Sequence, residues 1–125
     1  MPEIKEYLYE DGTSPLRTWF DGLEARAAAK VAVAQTKLEL GQFGNLKPVG
    51  EGVFEYRIDY GPGYRIYLAH DGVQYIILLG GGDKTTQDAD IKTAKALWAA
   101  YKRRKAQDAA KTADARRRRA GRKRR

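Results

Sequence analysis

Three features of this 125-residue sequence predict an α+β fold in the order strand, two helices, three antiparallel strands, helix. Short runs alternate apolar and polar residues with period two, as half-buried strands do, and other stretches repeat apolar residues at helical spacing. Asp-Gly and Gly-Pro-Gly signals separate the later strand runs. The expected architecture is one sheet, antiparallel at its centre, packed on the two N-terminal helices.

Glu3 to Tyr9 alternates Ile4, Glu6 and Leu8 against Lys5, Tyr7 and Tyr9 and reads as the first strand. After the Asp11-Gly12-Thr13 turn, Ser14 is an N-cap and Pro15 occupies the first helical position. Leu16, Trp19, Phe20 and Leu23 then make one apolar stripe. A second helix is predicted from Glu24 to Leu40, with Ala27, Val31, Ala34 and Leu38 inward and Gly41 ending it. Gln42 to Gly52 reads as a loop or edge segment, because Pro48 forbids a central strand.

Val53 to Ile58 alternates again, and Tyr64, Ile66 and Leu68 continue the same parity after the loop Asp59-Tyr60-Gly61-Pro62-Gly63. Asp71-Gly72 reads as a two-residue turn that pairs His70 with Val73, and hence Arg65 with Leu78. His70 is then a solvated turn residue. Val73 to Leu79 is apolar at nearly every residue, the pattern of a strand covered on both faces. Thr85-Thr86-Gln87-Asp88 opens the last helix, whose buried stripe is Ile91, Ala94, Trp98 and Tyr101.

Charge is divided unevenly. Residues 102–125 hold 13 of the 24 Lys and Arg and two of the 16 acidic residues, so residues 1–101 keep 11 basic against 14 acidic, a net −3. Residues 1–105 form the expected folded domain, and residues 106–125 an expected disordered tail that repels itself. Such an arm suits phosphate backbones without sequence preference. The absence of cysteine excludes a disulfide framework and a thiolate zinc site. With no long apolar run and no signal-like N-terminus, a cytoplasmic protein without membrane association is expected.

The expected hairpin sets Arg57 opposite Arg65 on its polar side. Like charges directly opposed across two strands repel, so an anion is expected between them, and RNA phosphate is the reading that follows. Lys84 approaches from the next strand, and Lys47 projects from the preceding segment. The Gly80-Gly81-Gly82 run is a candidate phosphate cradle, with a tight bend as the plainer explanation.

The stretches Leu38–Val53, Glu55–Ile58, Tyr60–Tyr67 and Ile77–Lys84, with Gln87–Ile91, closely resemble the RelE/ParE toxin superfamily, specifically the HigB-like, phage Gp49-like group of addiction-module killer proteins. The resemblance spans roughly residues 3 to 100 and implies a small RelE-like sandwich. It also implies a toxin of a type II toxin–antitoxin module that cleaves mRNA, on the ribosome, without metal or cofactor. A cognate antitoxin of helix-turn-helix type would neutralise it. Carried over residue by residue, the resemblance assigns catalysis to Arg65, Arg57 and Lys84, and leaves the general base open.

Cleaving RNA without a metal needs a base for the 2′-hydroxyl, cations around the phosphorane and an acid for the leaving 5′-oxygen. Arg65 is the expected clamp and Arg57 the positioning group, with Lys84 or Lys47 as base or acid. An ammonium among guanidiniums has its charged form disfavoured, which favours a basic role. Tyr67 and Tyr64 are candidates for stacking on bases, and Gly82 for contact with the backbone. Two other functions fit the same sequence: a ParE-like poison of DNA gyrase, and a non-catalytic nucleic-acid-binding accessory protein.

Overall fold

A computed structural model describes residues 1–123. Its elements are β1 (Glu3–Glu6), α1 (Pro15–Asp21), α2 (Ala25–Glu39), β2 (Leu46–Gly50), β3 (Val53–Ile58), β4 (Tyr64–Asp71), β5 (Tyr75–Asp83), a 3₁₀ turn (Lys84–Thr86) and α3 (Gln87–Lys123). The strands form one sheet in the order β1-β5-β4-β3-β2, with β1 parallel to β5 and the other pairs antiparallel.

The helix starts follow the capping residues. Ser14 Oγ accepts from Arg17 N at 3.0 Å, and Pro15 begins α1. Glu24 accepts from Ala27 N and starts α2, which buries Ala27, Val31, Ala34 and Leu38. Val31, Ala34 and Leu38 pack with Leu16 on one sheet face against Tyr56, Ile58, Ile66, Leu68, Ile76 and Leu78.

Four expectations need correction. The Gln42–Gly52 segment contributes a fifth strand, β2, whose Pro48 sits on the sheet's outer edge, where no further strand needs its missing N–H. The last helix does not join the other two. It covers the opposite face, where Ala94, Leu97 and Trp98 meet Tyr7, Val53, Tyr67, Ala69, Ile77 and Leu79. Both faces are therefore buried, and the molecule has three layers.

The third correction concerns register. Asp71 pairs with Tyr75, His70 with Ile76 and Leu68 with Leu78. After a bulge, Tyr67 pairs with Gly80 and Arg65 with Gly82. A strand that is apolar throughout carries no parity to fix its own register. The sheet faces decide instead, because this pairing sets Ile66 and Leu68 on the same side as Ile76 and Leu78. His70 is consequently no turn residue. Its ring lies edge-on to Phe43 and Phe54, with centroids 5.5 and 5.4 Å away.

The shifted register puts the triple glycine between helices. A Cβ on Gly81 would overlap the Trp19 ring of α1, and one on Gly82 would overlap the Asp90 carboxylate of α3. Gly81→Ala is thus expected to destabilise the fold by about 1–3 kcal/mol through overpacking, read as a lower urea midpoint.

The fourth correction is the tail, which continues α3 to Lys123 where disorder is expected. Alanine, arginine, lysine and glutamine are strong helix formers, and the Asp114–Arg118 pair at 3.1 Å adds an i,i+4 contact. Residues 124–125 of the expected tail lie outside the described residues. Among the described residues no helix is long and apolar enough to cross a membrane.

α3 is fastened at its middle. Tyr101 and Lys105 both donate to Asp71 at 2.5 Å, and Arg104 donates to the Leu8 carbonyl at 3.0 Å. These donors hold the Asp71 carboxyl below its usual range, Lys105 most and then Tyr101. Burial, and then Asp71, push the Tyr101 hydroxyl up to about 12. An unfolded tyrosine ionises near pH ~10, so the folded state holds this proton longer. Its stabilisation is complete below that pH and is lost as the pH rises through the folded value. Tyr101→Phe is therefore expected to flatten the loss of stability between about pH 10 and 12, as followed by alkaline denaturation.

Candidate functional site

Strand alternation builds one row of the α3-facing side of the sheet from Arg57, Arg65 and Gly82, and the next from Lys47, Glu55, Tyr67 and Gly80. Arg57 and Arg65 do face each other. Their environments differ. Arg57 is exposed and makes no ion pair among the described residues, whereas Arg65 is only 6% exposed.

The anion that relieves the arginine pair is supplied by the chain itself. Arg65 Nε donates to Glu55 Oε1 at 2.9 Å, with 7% and 2% of the two side chains exposed. Gln87 Nε2, from the first turn of α3, donates to Glu55 Oε2 at 2.9 Å, so both carboxylate oxygens are occupied. Sequence reasoning missed the pairing of Glu55 with Arg65, and missed Gln87. The available signal was Glu55 two residues before Arg57, hence on the same face and diagonal to Arg65.

The pair does not consume the whole guanidinium. Nη1 reaches the Gly63 carbonyl at 3.4 Å, while Nη2 has no partner among the described residues. The only fully buried side-chain polar atom without a partner among the described residues is the Tyr67 hydroxyl. The outer edge of Arg65 is therefore not sealed from solvent. Glu55 holds the inner edge and fixes the plane of the fork.

The other expected residues divide. Lys47 is exposed and lines an open cleft of about 350 Å³ with Arg57, Asp59, Gly44, Asn45 and Leu46. Lys84 is exposed at the start of the 3₁₀ turn beyond β5, next to Asp83, which accepts from Thr85 N at 2.8 Å. Tyr64 points to the opposite sheet face, stacked on Tyr60 at 6.3 Å and tilted against Trp19.

Tyr67 is on the arginine face but only 1% exposed. Burial, and then the charges of Glu55 and Asp90, raise its hydroxyl well above the usual tyrosine value, so it keeps its proton. Gly82 is covered by Asp90 and Thr86 and has no room for a phosphate. Among the described residues no three His, Cys, Asp or Glu side chains are gathered where they could hold a metal.

This arrangement offers two guanidinium groups on neighbouring strands. One is exposed to solvent, and one is held by a buried carboxylate. The adjoining cleft adds the Lys47 ammonium and the Asp59 carboxylate. The family described as phage-derived protein Gp49-like matches residues 18–118, which include the arginines, the cleft and most of α3. A Haemophilus influenzae protein described as uncharacterized is 49% identical over 81 residues, covering 64% of this chain and 82% of its own.

Proposed function

Because the chain belongs to the Gp49-like family of phage-derived proteins, a family linked to toxin–antitoxin modules, we propose that it is a toxin that cuts mRNA as a metal-independent endoribonuclease. The observation that carries this reading is the pair of opposed arginines with only one of them neutralised. Arg57 and the outer edge of Arg65 are a fork for two non-bridging oxygens of one phosphate.

The cleft residues complete the chemistry. Asp59 takes the proton of the 2′-hydroxyl, whose oxygen attacks phosphorus while the bond to the 5′-oxygen breaks. Lys47 donates a proton to that leaving oxygen. The products are a 2′,3′-cyclic phosphate and a 5′-hydroxyl. Lys84 lies at the same end of the sheet and adds positive charge for the neighbouring phosphate. Ribosome association and neutralisation by a cognate antitoxin belong to the same proposal, and the exposed edge strand β2 is open to an added strand.

Adding the protein to a translating extract and analysing the ends of the cut message tests the chemistry. Fragments ending in a 2′,3′-cyclic phosphate, with 5′-hydroxyl partners, are expected. Fragments with 5′-phosphates would contradict the proposed role of the 2′-hydroxyl.

A further inference from the structure

The C-terminal part of α3 has no role in the site described above. The helix starts over Glu55, runs across the sheet and is fastened at its middle by Arg104 on Leu8 and Tyr7, and by Lys105 on Asp71. From Ala106 to Gly121 every residue is exposed. At 1.5 Å per residue the helix extends about 27 Å beyond Lys105, with its end about 54 Å from Gln87. A strand of RNA held at Arg57 is thus out of reach of the arm's tip unless the nucleic acid is long or structured.

Charge on the arm is arranged around its axis. Successive helical residues are rotated by about 100°, so Arg116, Arg117, Arg118 and Arg119 place a guanidinium on every side within little more than one turn. Among the described residues only Arg118 of these four has an acidic partner, Asp114, at 3.1 Å, and both are largely exposed. A helix lying on a flat acidic protein uses one side. A helix that is cationic all round matches two walls of phosphate, as in the groove of a duplex. Residues 1–105 hold 15 basic and 14 acidic residues, a net +1, whereas residues 106–125 carry a net +7, so most of the attraction for a polyanion comes from this arm.

The geometry points to residues 106–123 acting as a helical arm that binds double-helical nucleic acid through its phosphates, at a place separate from the arginine cleft. Binding also stabilises the helix, because it relieves repulsion among arginines that bury nothing. This inference stands whether or not the cleft cuts RNA.

The test measures binding of the full chain to a 20-base-pair DNA duplex and to a 2′-O-methylated RNA duplex, which the proposed chemistry cannot cut. Anisotropy is recorded over a range of salt, and helix content by circular dichroism. Replacing Arg116, Arg117, Arg118 and Arg119 with Gln, which keeps the helix, is expected to weaken binding about 100-fold near 0.1 M salt and to flatten the log–log salt slope by about 3. Ala113→Pro keeps all the charge but breaks the axis, and is expected to weaken binding roughly tenfold. Helix content is expected to rise when duplex is added to the wild type. Tight binding to either duplex supports the arm, and the preference identifies RNA or DNA as its source. Binding by the four-Gln variant within twofold of wild type, equal binding by Ala113→Pro, or equal competition by poly-glutamate at matched charge would each overturn it.

Discussion

Arg57→Ala is expected to lower the rate of message cleavage by about 10²–10³-fold, the usual cost of removing one preorganised donor from a developing oxyanion. Stability is expected to stay within about 0.5 kcal/mol of wild type, because the side chain is exposed and makes no ion pair among the described residues. Arg57→Lys restores charge without the planar fork and is expected to recover only part of the rate. Cleavage rates and melting curves on the same preparations separate the two effects. A variant that loses activity by unfolding would show both.

Glu55→Gln is expected to do the reverse, with the larger effect on the fold. It leaves the Arg65 guanidinium charged in a site where 7% of its side chain meets solvent. Breaking a buried pair by neutralising one partner costs about 3–5 kcal/mol, or roughly 10–20 °C in melting temperature for a domain of this size. Replacing both partners, Glu55→Leu with Arg65→Met, is expected to regain most of that loss. Desolvating an ion pair costs as much as the pair returns, and an apolar pair of similar volume fills the same space. If Glu55→Gln melts like wild type, the carboxylate is not what holds Arg65, and the rigid half of the fork has no support.

The two variants show where the sequence was informative. The β3–β4 hairpin was legible because aromatic and aliphatic residues alternate with charged ones from Val53 to Ile58, and Tyr64, Ile66 and Leu68 continue the parity. Arg57 does lie opposite Arg65. The β4–β5 register was not legible, because Ile76 to Leu79 are all buried and offer no polar face. Three consecutive glycines looked like a phosphate cradle, whereas Gly81 and Gly82 let Trp19 and Asp90 come close to the sheet.

The polar side of the hairpin is not a solvent face, because α3 covers it. Tyr67 and Ala69 share the parity of Arg65 and are buried under α3, and the Ala94 and Trp98 stripe needed a second sheet face to cover. With that helix in place, the carboxylate beside Arg65 is Glu55, and repulsion between the arginines is partly answered inside the protein. The tail was misread for a related reason. Its charge density signalled disorder, but its alanines and long unbranched side chains favour helix, and α3 reaches it already nucleated.

The proposed cleavage requires Arg57, beside the fixed edge of Arg65, to hold a phosphate of mRNA. Inducible expression in growing bacteria, with transcript 5′ ends mapped and chromosomal breaks scored in the same cultures, tests it most directly. New 5′ ends phased to codons under wild type and missing under Arg57→Ala, with DNA intact, are the predicted result. Intact transcripts with accumulating DNA breaks, or an unchanged cut pattern under Arg57→Ala, would contradict it.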